Sequence, residues 1–157
     1  KDKDIIEALE LIKSFSSYFK VILGLNKKEA FEVARVLGVF PEESIQEEVT
    51  LKQLNIAIAE SMGIYCVVIH PVDCASAVVE GQYFETKGPY TSKPMLTTGA
   101  GDNFNAGFCY GQVLGLPVVE SLITGVANSG YYVRNGKSPN IDELLDFLVK
   151  WSSSLMV

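Results

Sequence analysis

Residues 97–108 read TTGAGDNFNAGF: three small residues, Gly99, Ala100 and Gly101, stand directly before an acid, Asp102. Residues without bulk let a ligand come close to the backbone. If a helix begins here, the N–H groups of Ala100, Gly101, Asp102 and Asn103 lack intrahelical acceptors. With the positive end of the helix dipole they form an anion site. An acid in the same turn conflicts with a bound anion unless the two face different reactants. The amides would face a phosphoryl group, and Asp102 a hydroxyl whose proton it takes. An acid in that role beside a hole for the transferring group is a minimal device for phosphoryl transfer. The plainer alternative makes Asp102 an N-cap above a tight turn. The stretch is neither a dinucleotide fingerprint, which needs glycine where Phe104 stands, nor a P-loop, since no Gly-Lys-Ser/Thr follows.

The elements that must position this loop alternate in type. Residues 4–17 and 27–38 have helical periodicity, the second ending at Gly38, where a C′ glycine belongs. A third helix is predicted over 51–62, with Thr50 and Gln53 as a capping box and Gly63 as its stop. The apolar runs at 19–25 and 64–70 read as buried strands. Residues 75–86 read as two short strands around Glu80 and Gly81, forming an antiparallel edge. A charged loop with a turn of helix is expected over 39–48, and a Gly/Pro-rich loop over 87–96. Helices are predicted at 102–115, 118–134 and 140–150. The order predicts a single α/β domain over 1–157, with a largely parallel sheet and helices on both faces. Ligands in such folds gather at the carboxyl ends of strands and the helix starts that follow.

Glycines at 107, 111 and 115 recur every fourth residue after Asp102. Each costs roughly 1 kcal/mol against alanine in a helix, which points to very close helix packing. They are not a membrane dimerisation face, because Asp102, Asn103, Asn105 and Gln112 interrupt the segment.

The 157 residues are 48% hydrophobic and 20% charged, enough for one sizeable core, and the formal net charge of −6 argues against a broad surface for nucleic acid or anionic membrane. No apolar run is long enough to span a bilayer. Three cysteines without a CxxC pair, and one histidine, His70, fit neither a disulfide framework nor a zinc site; a cytoplasmic setting is expected. The chain opens without an initiator Met into a helical pattern, as the later part of something longer would.

TTGAGDNFNAGF closely resembles the signature of the ribokinase-like (PfkB) carbohydrate kinases. Asn26 and Glu29 in LGLNKKEA resemble that family's Asn-x-x-Glu segment, and GVANSGYYVRNGKSPNIDELLDFL resembles its adenine-side helices. The resemblance covers nearly all of the chain but only the second half of such a kinase; the N-terminal substrate and lid part would be absent. It implies ATP-dependent phosphorylation of a sugar or nucleoside hydroxyl. Asp102 would be the general base, and Gly99, Ala100 and Gly101 the anion hole. Asn26 and Glu29 would organise Mg²⁺ and the phosphates through water, and Asn128 would lie beside the adenine. Asn26 and Glu29 also fit a capping box, and both readings can hold together. Asn128 by itself would be an ordinary helical surface residue.

Besides the absent N-terminal half, the match departs from the family in two places. His70, Val72 and Ala75 stand where the family carries a threonine and two glycines, and His70 either replaces the threonine at the phosphates or is a structural hydrogen-bonder. Leu96 stands where the family has an acid that helps hold a monovalent cation, which a leucine cannot ligate. The family's dimers are often joined through lid strands, so a homodimer stays open for this chain. The altered His70 segment keeps a second reading alive: a non-catalytic, regulatory homologue that binds a nucleotide or sugar.

Overall fold

The computed structural model describes residues 2–40 and 49–154. The chain divides into two compact units, Lys1–Pro71 with Ser76–Phe84, and Val72–Ala75 with Glu85–Val157.

The first unit contains α1 (Asp2–Phe15), β1 (Ile22–Leu25), α2 (Lys27–Val36), α3 (Leu51–Met62) and β2 (Cys66–Ile69). It also holds most of β3 (Cys74–Val79) and the first half of β4 (Gln82–Lys87). The sheet order is β1-β2-β3-β4. β1 and β2 run parallel, with Leu25 opposite Ile69, whereas β2 and β3 run antiparallel, with Cys66 opposite Val79. The α/β class therefore holds with a sheet that is partly antiparallel, for a simple reason of chain length. The connection from β1 to β2 carries α2 and α3, the length a parallel crossover needs. β3 and β4 are joined only by Glu80 and Gly81, whose φ values of 49° and 79° are those of a tight hairpin turn. This hairpin lies where the sequence predicts the antiparallel edge.

β2 is buried along its whole length, which explains its unbroken apolar run. Val67 and Ile69 join Leu25, Ala30, Leu54 and Ile58 in the core of this unit. The strand predicted over 19–25 starts only at Ile22, because the N–H groups of Tyr18 and Phe19 both return to the Phe15 carbonyl at 2.9 Å. That turn takes up Phe19, the first residue of the predicted strand, while the Val21 carbonyl still accepts from the Cys66 N–H at 3.1 Å. Both expected helix stops are present: Gly38 and Gly63 adopt positive φ of 65° and 60°. The loop predicted over 39–48 lies, from residue 41 onward, outside the described residues.

The second unit is helical. α4 (Ala100–Val113), α5 (Val118–Asn135) and α6 (Ile141–Ser154) follow the long loop after β4. α4 and α5 approach so closely that a Cβ on Gly107 would lie 2.8 Å from both the Asn128 Cβ and the Thr124 carbonyl oxygen. A Cβ on Gly111 would lie 2.8 Å from the Ser121 Oγ, and one on Gly125 2.8 Å from the Phe104 ring. Packing thus accounts for Gly107 and Gly111. Gly115 differs: it meets nothing within 4 Å and adopts φ of 74° as the turn that ends α4. Among the described residues no helix is long and apolar enough to cross a membrane.

Gly107→Ala separates two opposing effects. Helix propensity favours alanine by about 1 kcal/mol, while overpacking against backbone costs about 1–3 kcal/mol. Because the nearest atoms include a main-chain carbonyl, we expect a lower urea midpoint; an unchanged or higher one would contradict this helix contact.

Candidate functional site

The sequence-predicted residues fall into one group per unit: Asn26, Glu29 and His70 in the first; Gly99, Ala100, Gly101, Asp102 and Asn128 in the second.

In the first unit the parallel pairing places the carboxyl ends of β1 and β2 side by side. The His70 N–H donates to the Leu25 carbonyl at 2.9 Å, so the residues just beyond each strand, Asn26 and His70, are neighbours in register. Asn26 caps α2: its Oδ1 accepts from the Glu29 N–H, and its own N–H donates to Glu29 Oε2, both at 2.9 Å. The capping box is therefore real. It occupies one carboxylate oxygen of Glu29 and leaves Oε1 outside the box, on an exposed side chain. Among the described residues, no group of three or more His, Cys, Asp or Glu side chains could hold a metal ion. Magnesium commonly keeps most of its waters and takes one or two carboxylates with substrate phosphates. One outward Glu29 oxygen fits that mode, through water, and not a protein cage. Burial pushes the His70 imidazole below its ordinary value of 6.5, against the smaller opposing effects of the Glu29 carboxylate and the backbone hydrogen bond.

In the second unit α4 begins at Ala100, with Gly99 as N-cap at φ 88°, ψ 0°. Asp102 is thus the third residue of the helix and makes no cap, which removes the plainer alternative for it. Its side chain is exposed. Gly99 is required twice over: its φ is left-handed, and a Cβ there would meet the Tyr132 hydroxyl at 2.9 Å. That hydroxyl donates to the Thr98 carbonyl at 2.7 Å, tying the loop to α5. Not all the expected amides are free. The Ala100 N–H donates to the Thr97 carbonyl at 3.1 Å and the Asn103 N–H to the Gly99 carbonyl at 3.0 Å. Among the described residues, the N–H groups of Gly99, Gly101 and Asp102 have no hydrogen-bond partner. The tight turn over 97–100 is what takes Ala100 out of the set.

Asn128 is not a surface residue. It is 9% exposed, and its Nδ2 donates to the Asn103 carbonyl at 2.6 Å, bridging α5 and α4. It also lines a cavity of about 340 Å³ with Asn103, Tyr110, Ser138, Asn140 and Ile141. Sequence reasoning named Asn103 only for its backbone amide and missed its side chain and Ser138. The signal available was weak: an asparagine inside a helix start, and a Gly-Lys-Ser-Pro-Asn connection that brings a hydroxyl back to it.

Solved structures share this architecture. Adenosine kinase from Sinorhizobium meliloti superposes with a TM-score of 0.68 at 20% identity, over 94% of this chain and 40% of that one. Arabidopsis thaliana ribokinase, complexed with ribose and ATP, gives 0.65 at 21% identity, over 94% and 53%. The class is therefore the ribokinase-like fold. More specifically, the prokaryotic ketohexokinase family model matches residues 1–151, and the chain belongs to that family. Ketohexokinase from Haloferax volcanii is 32% identical over 145 residues, covering 92% of this chain. The chain spans 37% of the length of that relative.

The His70 environment predicts a pH dependence. A folded imidazole that binds its proton more weakly than the unfolded one leaves the unfolded state holding more protons below 6.5. Stability therefore falls as pH drops from 6.5 through the folded pKa. The unfolding free energy of His70→Gln, followed from neutral to acid pH, should lack part of this decline; a difference from wild type that does not vary with pH would exclude the effect.

Proposed function

We propose that this chain is the nucleotide-binding and catalytic part of an ATP-dependent sugar kinase, with ketohexoses as the first acceptors to test. The carrying observation is the start of α4. There an exposed Asp102 carboxylate shares one turn with the unpartnered N–H groups of Gly99, Gly101 and Asp102. In this reading Asp102 takes the proton from the acceptor hydroxyl as its oxygen attacks the γ-phosphorus, and ADP leaves as the bond to the β-phosphate oxygen breaks. The free amides hold the equatorial oxygens where charge develops. Gly99 and Gly101 supply the anion hole with the Asp102 amide; Ala100 keeps the turn small while its own N–H closes it. Mg²⁺ bound to the phosphates would neutralise charge, and Glu29, with Asn26 fixing its carboxylate, would orient it through water. The adenine would enter the cavity beside Asn128.

A second reading is favoured by the segment after β2. His70 is held mostly neutral by burial, so it brings no fixed positive charge, and Val72, 83% exposed, stands where the family resemblance implies glycine. A regulatory homologue that binds nucleotide without transferring phosphate would tolerate both.

The two readings separate in one experiment. ADP formation is measured with ATP–Mg²⁺ and a panel of ketohexoses, other sugars and nucleosides, using the longest expressible form of the protein. Asp102→Asn should reduce turnover to background while ADP binding and the thermal midpoint persist. Normal turnover in that variant would overturn the assignment of the base. Nucleotide binding without transfer to any acceptor would favour the regulatory reading.

A further inference from the structure

We infer that Asn103 is a positioning residue that couples the cavity beside Asn128 to the free amides at the start of α4; the nucleotide part of this inference rests on the function proposed above. Asn103 is bonded on every side. Its N–H and its Nδ2 both donate to the Gly99 carbonyl, each at 3.0 Å. Its carbonyl accepts from Asn128 Nδ2 at 2.6 Å, and its Oδ1 accepts from the Ser138 hydroxyl at 2.8 Å. One residue thus joins three segments far apart in the chain: the glycine turn, the middle of α5, and the connection into α6.

Two features give this junction a direction. Asn103, Asn128 and Ser138 all line the same cavity, so a group bound there touches the junction itself. The other end holds Gly99, whose left-handed conformation sets where the next peptide planes point, including the amides of Gly101 and Asp102. A carbonyl held by two donors from one residue can rotate only if that residue moves. Asn103 moves only if Ser138 or Asn128 lets go. The Ser138 end is the adjustable one: Ser138 is exposed, between Gly136 with φ of 66° and the Asn140–Glu143 capping box. Occupying the cavity therefore fixes Ser138, and through Asn103 Oδ1 it fixes the turn that would receive the phosphoryl group. Small misplacements of such a turn lower the rate steeply, because catalysis depends on reacting atoms held in near-attack geometry.

The test uses adenosine, which can fill the cavity but carries no phosphate. Amide resonances are followed by nuclear magnetic resonance in the longest expressible form of the protein. In the wild type, saturating adenosine should shift Ala106 and Ile141 at the cavity and also Gly101 and Asp102. In Ser138→Ala, whose lost hydroxyl is on the surface and leaves the α4–α5 packing intact, the cavity shifts should remain and those of Gly101 and Asp102 should vanish. A lower kcat with ATP at unchanged acceptor KM should accompany that loss. Shifts at Gly101 and Asp102 that survive in Ser138→Ala, or that are missing from the wild type, overturn the coupling. A wild type that shows the shifts but transfers no phosphoryl group overturns the kinase reading and leaves the coupling standing.

Discussion

The second unit depends on one contact, the glycine-mediated approach of α4 to α5. Where Gly107 and Gly111 lack side chains, the backbone of α4 meets Thr124, Asn128 and Ser121 at distances no Cβ would allow. This closeness brings Asn128 Nδ2 within 2.6 Å of the Asn103 carbonyl and Gln112 Nε2 within 2.8 Å of the Ser121 hydroxyl. With larger residues at 107 and 111 the helices would separate, and buried amides would lose partners they cannot replace from water. α5 extends the same control to the loop before α4. Arg134 donates to the carbonyls of Pro89 and Tyr90, Val133 accepts from Met95, and Tyr132 donates to Thr98. The glycine turn is therefore held from α5 at both ends of its approach.

Local chemistry dominates the first unit instead. Two reciprocal capping boxes, Asn26 with Glu29 and Thr50 with Gln53, start helices whose apolar faces build its core. A capping box is written in four consecutive residues, so it is legible without tertiary information, and both were readable in advance. The same holds for the stops at Gly38 and Gly63 and for the hairpin at Glu80 and Gly81. What failed was the start of β1, since whether Phe19 extends the strand or turns back depends on the end of α1 and not on its own apolar character.

Legibility falls where distant segments meet. The glycine period after Asp102 announced close packing correctly at 107 and 111 but not at 115, because a terminating glycine has the same spacing as a packing one. The burial of Asn128 could not be read from its helical neighbourhood, since it is α4 that covers it. The cavity is assembled from residues 103–110, 128 and 138–144, and no local pattern reports such a juxtaposition. The GAGD turn was legible as a helix start with open amides, yet the number it leaves free depends on whether Ala100 closes onto Thr97, which only the three-dimensional turn decides.

How the helices begin bears on that chemistry. α2 and α3 open with full capping boxes, and Asn140 with Glu143 makes the same reciprocal pair at the start of α6. The pair at α6 is reinforced by Lys137, 2.6 Å from Glu143, and these hydrogen bonds hold the Glu143 carboxyl down at about 2. α4 departs from this habit: its N-cap is a glycine with no side chain to offer, although a Ser, Thr, Asp or Asn cap stabilises a helix by about 1 kcal/mol. α5 also lacks a side-chain cap, but it opens at exposed Pro117 with Val119 and Glu120 exposed, where water can satisfy its first amides. At α4 a cap would have occupied the amides of Gly101 and Asp102. Leaving them free while a second asparagine, Asn103, secures the carbonyl side of the same turn keeps it rigid and its donors open. That combination is what the anion site proposed above requires.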